Sequence, residues 1–162
     1  MMKKMILALC LTALLPITPA PAATDKRDVY TAVTGREMRE LMKRFGYLVR
    51  LRKDSGGDPL LETTLDGTPF KVYFYGCDKA STRTCGSIQL AAVLRPKNPQ
   101  GTSRINAWNR DQRYGKAYRQ KNGNVVLHVN INIRHGVTIG NLRVWFDWWR
   151  LGLRGFKRYV GN

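Results

Sequence analysis

Acidic groups are scarce in this chain. Eleven Asp and Glu residues stand against 28 Lys and Arg, with two histidines among 162 residues. Catalysis by paired carboxylates or by a poised histidine needs groups that this composition hardly offers. Asp111 and Asp147 lie among arginines, where ion pairing accounts for them. Ser81, Ser87 and Ser103 lack the strand-turn-helix setting of a nucleophile elbow, and Gly56-Gly57 belongs to a turn before Pro59 rather than to a phosphate loop. No catalytic residue and no cofactor are expected, so the chain reads as non-enzymatic. Cysteine is sparse as well: Cys10, Cys77 and Cys85. A structural zinc needs four nitrogen or sulfur ligands. His128 should point from one face of a strand and His135 sits at a turn. No metal site is expected, and the cysteine spacing does not match a CxxC redox pair. Past residue 22 there is no apolar run of membrane length.

What is present begins with a leader. "MMKK" is positive, "MILALCLTALLPI" is apolar but short for a bilayer span, and "TPAPAA" places small residues at Ala20 and Ala22. That order is the signature of a secretory signal, cut after Ala22 with Ala23 as the alternative. Pro16, Pro19 and Pro21 oppose a retained helical anchor, and Leu9 before Cys10 opposes a lipid anchor. The expected location is periplasmic or secreted. In an exported chain the remaining pair, Cys77 and Cys85 in "GCDKASTRTCGS", reads as a disulfide. The leader removes Lys3 and Lys4, so the mature charge is two units below the +17 of the whole chain. A balance so basic favours anionic partners.

The expected organisation is a signal peptide at 1–22, a flexible lead-in at 23–33 and one domain at 34–160. Thr34 stands three residues before Glu37, a capping box, and Met38, Leu41, Met42 and Phe45 follow at helical spacing; the helix is placed at 35–45. Four strands follow, over "YLVRLRKD", "LLETTL", "PFKVYFY" and "SIQLAAVLR", with Asp66-Gly67 as a hairpin turn between the second and third. Thr102 or Ser103 can cap a second helix over "RINAWNRDQ". Asn122-Gly123 joins two more strands, the second with Val125, Leu127, Val129, Ile131 and Ile133 on one face. The last segment is an amphipathic helix. Ile139, Leu142, Phe146, Trp149, Leu153 and Phe156 form its apolar row, and Arg143, Asp147, Arg150, Arg154 and Arg158 form another. Gly152 and Gly155 weaken it by about 1 kcal/mol each relative to Ala. The order α-β-β-β-β-α-β-β-α predicts an α+β fold, an antiparallel sheet with helices packed on one face. Ile105, Trp108, Phe70, Phe74, Leu127, Ile131, Phe146, Trp149 and Leu153 are the expected core.

The run "DGTPFKVYFYGC…CGSIQL…INAWNRDQRYGKAYRQKNGNVVLHVNINIRHGVTIGNLRVWFDWW" resembles the YbjN family, in particular its exported members. Its specific parts are "YGC" with a second Cys before "SIQ", the "NAWNRDQRYGKAY" block, and "GVTIGNL" leading into an aromatic helix. The resemblance spans about residues 34–156. It implies a fold similar to type III secretion chaperones and a role in sensory transduction regulation. It supplies no enzyme activity and no catalytic residues. Exported relatives tend to carry acidic residues after the Gly-x-Ala-Tyr block and along the last strand. This chain has Arg119, Lys121, Asn124, His128 and Asn130 there, which puts in doubt any partner reached through acidic contacts.

The functional reading is therefore a binding or adaptor module, regulatory or chaperone-like, that contacts a protein partner. The alternative is a binder of anionic envelope surfaces, lipid or lipopolysaccharide headgroups, through the last helix. Nucleic acid is disfavoured by export and by the lack of a recognised module. The oligomeric state is left open, a homodimer included. The residues expected to meet an anionic partner are Arg110, Arg113, Arg119, Arg143, Arg150, Arg154 and Arg158, together with Trp148. Trp108, Trp145 and Trp149 are expected as core anchors, and Trp148, offset from the core row, as the exposed tryptophan.

Overall fold

The computed structural model describes residues 29–81 and 83–161, so the expected signal peptide lies outside the described residues. Among the described residues three helices, α1 (Gly35–Arg44), α2 (Thr102–Asp111) and α3 (Ile139–Val160), accompany eight strands. The main sheet holds β2 (Arg50–Lys53), β3 (Pro59–Leu65), β4 (Thr68–Cys77), β5 (Cys85–Leu94), β6 (Lys116–Arg119) and β7 (Val125–Asn132). Its spatial order is β2-β3-β4-β5-β7-β6, and all neighbours run antiparallel. The six strands and three helices follow one another as the sequence pattern predicts.

Local chemistry explains the elements. Thr34 Oγ1 accepts from the Glu37 amide at 3.1 Å, and the Thr34 amide donates to Glu37 Oε2 at 2.8 Å, so the capping box is closed. Helix α1 ends at Arg44, one residue before the predicted end, with Phe45 as its C-cap. Helix α2 differs from expectation at its start. Gly101, not Thr102 or Ser103, is its N-cap, without a side-chain bond. The Gly101 carbonyl accepts from Ile105 at 3.3 Å, a start that seats Ile105 and Trp108 in the core. Thr138 caps α3 by accepting from the Asn141 amide at 3.1 Å, and left-handed Gly161 ends it.

Residues 29–33, expected within a flexible lead-in, belong to the fold. β1 (Val29–Tyr30) pairs with β8 (Val137–Thr138), and Val33 is fully buried. Val33 exchanges two backbone hydrogen bonds with Cys85, at 3.0 and 2.8 Å. The other side of Cys85 faces Cys77 across the β4–β5 ladder, where the two form a disulfide. Without Val33, the Cys85 amide and carbonyl would be buried and unpaired.

Alternation along the strands sends one set of side chains to the core. The register aligns Phe74 with Ile88 and Ile131, and Val72 with Leu90 and Val129. The nine residues Ile105, Trp108, Phe70, Phe74, Leu127, Ile131, Phe146, Trp149 and Leu153 are all buried, as expected. Helix α3 covers this face. Phe146 and Trp149 enter an aromatic group with Phe45, Tyr47 and Phe70, with ring centroids 5.5–5.7 Å apart. Truncating Phe146 or Trp149 to Ala should cost about 3–5 kcal/mol, read as a shifted denaturant midpoint; near-neutral midpoints for both would contradict this packing. Reduction of Cys77–Cys85 should destabilise by about 2.5 kcal/mol, and intact mass of exported protein should show the bridge before reductant is added.

Candidate binding surface

The basic residues singled out from the sequence do not form one free row. Arg143 lies over the Phe45 ring at 5.6 Å, and Arg150 over Tyr47 at 5.9 Å. Arg154 pairs with Asp66 at the β3–β4 turn and holds that carboxyl below its ordinary range through a side-chain hydrogen bond. Arg110 is bidentate to Asp111, at 2.7 and 2.9 Å. Arg119 is exposed at the end of β6. Arg113 lies over the Tyr114 ring at 5.2 Å, and Arg158 is exposed without an ion pair among the described residues.

The tryptophans also sort differently from expectation. Trp108 and Trp149 are core. Trp148, expected to be exposed, is half-buried because the Tyr114 ring stacks on it at 4.3 Å and 18°. Trp145, expected in the core, is half-buried and meets Trp148 edge-on at 5.2 Å. A flat aromatic loses less water-exposed area alone than in a stack, so the loop after α2 closes over α3.

That closure creates a groove between α2 and α3 with a volume of about 700 Å³. Its walls carry Trp108, Tyr114 and Tyr159, with Arg104, Arg113 and Arg158 around them. The Arg104 guanidinium lies over Tyr159 at 4.4 Å and donates to the Tyr159 carbonyl, while the Tyr159 hydroxyl donates to the Arg104 carbonyl at 2.9 Å. Trp108 is also 4.9 Å from Phe156 and 5.3 Å from Tyr159, ring to ring. Sequence reasoning missed Arg104 and Tyr159. They are 55 residues apart, and only the tyrosine's place beside the apolar row hinted at a contact.

Asn109 on α2 guards the edge beside this groove. Its amide nitrogen donates to the Ala117 carbonyl at 2.9 Å, and its oxygen accepts from the Ala117 amide at 2.7 Å. The side chain thus takes the place of a neighbouring strand, so β6 is closed to strand addition there.

The sheet face away from the helices carries a second concavity of about 200 Å³, lined in part by Tyr73, Tyr75, Gln89, Tyr118 and His128. Gln89 Nε2 lies 3.3 Å from His128 Nδ1 and donates to Asn130 at 2.8 Å. The alternation of β4 puts Tyr73 and Tyr75 on one face, but their meeting with Tyr118 depends on strand order. No group of three metal-ligating side chains is found among the described residues. No described helix is long and apolar enough to cross a membrane.

Burial lowers the His128 pKa below its ordinary 6.5. The unfolded chain therefore takes up this proton at a higher pH than the folded one. The stability contribution of neutral His128 is full above 6.5 and declines as pH falls toward the lowered folded value. Replacing His128 with Gln should flatten that part of a stability-versus-pH curve; an unchanged slope would rule out the linkage.

The YbjN family's sequence model, described as "Putative bacterial sensory transduction regulator", matches residues 35–161. Among solved structures, a chain in the HopA1–SchA chaperone–effector complex is similar, with a TM-score of 0.50 and 15% identity. The match covers 78% of this chain and 92% of that one. At such identity the likeness concerns the fold. No curated protein matches the chain.

Proposed function

The chain belongs to the YbjN family, and from that premise we propose that it is an exported, non-enzymatic adaptor that binds a protein partner in a regulatory or chaperone-like role. The observation that carries this reading is the composition of the α2–α3 groove. Arginine, tyrosine and tryptophan dominate protein-interface hot spots because they combine large contact area with directed polar groups, and here all three line one concavity. The fold similarity to a chain of a chaperone–effector complex is in keeping with it. Export rests on the leader at 1–22 and on the Cys77–Cys85 bridge, which persists best in an oxidising compartment. Scarce acidic groups and histidines support a role without catalysis.

Binding to anionic envelope surfaces through α3 has less support. Three of the four arginines expected to form its contact row, Arg143, Arg150 and Arg154, lie on aromatic rings or on Asp66 of the chain itself. Their charge remains, but reaching headgroups would require giving up these contacts.

Cell fractionation with N-terminal sequencing should find the mature chain in the envelope compartment, starting at Ala23 or Thr24. Crosslinking there should yield one reproducible protein adduct. Recovery only with vesicles of phosphatidylglycerol, and with no protein, would overturn the adaptor reading.

A further inference from the structure

We propose that the groove between α2 and α3 is a docking site for an acidic peptide segment that carries an aromatic or large aliphatic residue beside its carboxylates. The inference rests on the protein-binding role proposed above and names the chemistry of the partner.

Two glycines motivate it. Helix α3 runs unbroken through Gly152 and Gly155, both of which line the groove. Glycine weakens a helix interior, so it needs a reason there. Close helix packing is not the reason. A Cβ at Gly152 would have the Tyr114 carbonyl oxygen as nearest neighbour at 3.7 Å, and one at Gly155 would have Trp108 at 3.5 Å. These are ordinary contacts that alanine would satisfy. What alanine would remove is open floor between Trp108, Tyr114 and α3. Both glycines thus trade helix stability for depth of the groove.

The surroundings define the guest. Arg113 and Arg158 have no ion pair among the described residues, and Arg104 is bound only through a ring and a carbonyl. The one acid on the groove, Asp111, is already held by Arg110. Arg113 and Arg158 therefore meet a carboxylate with no competing ion pair among the described residues, and Arg104, held by Tyr159, adds its charge beside them; planar guanidinium forks suit a carboxylate in bidentate geometry. Leu151, 66% exposed at the rim, and the half-buried Tyr159 ring offer apolar area beside the charges, with the edge of the buried Trp108 behind them.

Two other occupants fit less well. A second copy of this chain carries the same strong positive charge, so like charges would meet across the groove. A bilayer is flat, whereas the arginines surround a concavity that only a protruding chain can enter.

The test uses the mature chain and three fluorescein-labelled probes: a peptide alternating Asp or Glu with Phe, its Lys-for-acid counterpart, and oligoglutamate of equal length. The acidic aromatic peptide should bind, the basic one should not, and oligoglutamate should be weaker. Arg113→Gln with Arg158→Gln should weaken binding about tenfold or more, and Arg154→Gln, outside the groove, should not. Gly152→Ala with Gly155→Ala should raise the melting temperature yet weaken the peptide about tenfold, a pairing that a purely structural role would not produce. Wild-type affinity in a folded, stabilised Gly→Ala variant would overturn the proposal. So would equal binding of oligoglutamate, preference for phosphatidylglycerol vesicles, or dimerisation that the groove substitutions abolish. If the envelope adduct persists in these variants, the adaptor role stands and only this groove is eliminated.

Discussion

The burial of one face of α3 against the sheet is the contact from which the rest of the architecture takes its position. Phe146 and Trp149 sit among Phe45, Tyr47 and Phe70, so the end of α1, the start of β4 and the first half of α3 share one aromatic cluster. Aromatic pairs add directional preference to area burial, which sets the rotation of α3 about its axis. Once that rotation is set, Phe156 meets Trp108, and α2 is placed by the second half of the same helix. The sheet edge follows from α2, because Asn109 completes the hydrogen bonds of Ala117.

The rotation of α3 also divides its arginines. Arg143 and Arg150 fall beside the aromatic cluster, Arg154 reaches the Asp66 turn, and Arg158 is left at the groove. One residue type therefore serves three purposes along four turns. An arginine over a ring keeps its charge while covering apolar surface. The protein remains strongly positive outside, and two arginines without an ion pair among the described residues, Arg113 and Arg158, lie at the groove between α2 and the end of α3. An excess of positive charge read from composition thus becomes a directed feature only after folding.

The disulfide and the chain start are tied together in the same way. Cys85 is bonded covalently to Cys77 on one side and through its backbone to Val33 on the other. Residues 29–33 are thereby part of the fold, although their sequence lacks the apolar run or helix signal that announces an element. Their pairing is a response to unsatisfied groups elsewhere, and no local pattern encodes that.

The sequence by itself determined the kinds of element, their order and the faces they bury. Those depend on periods of two and 3.6 residues and on short signals such as Thr34 with Glu37 or Asp66 with Gly67, all of them local. The same periods determined the core positions of Phe70, Phe146 and Trp149, while the pairing of Cys77 with Cys85 followed from their being the one pair left behind the expected leader. The tertiary structure alone decided the groove. Arg104 and Tyr159 are 55 residues apart, and Tyr114 reaches Trp148 only because the loop after α2 folds back over α3. It also decided that Trp148 lies under a tyrosine while Arg158 stays free. Helical spacing puts a residue on a side of its own helix, but it cannot say what another part of the chain brings to that side.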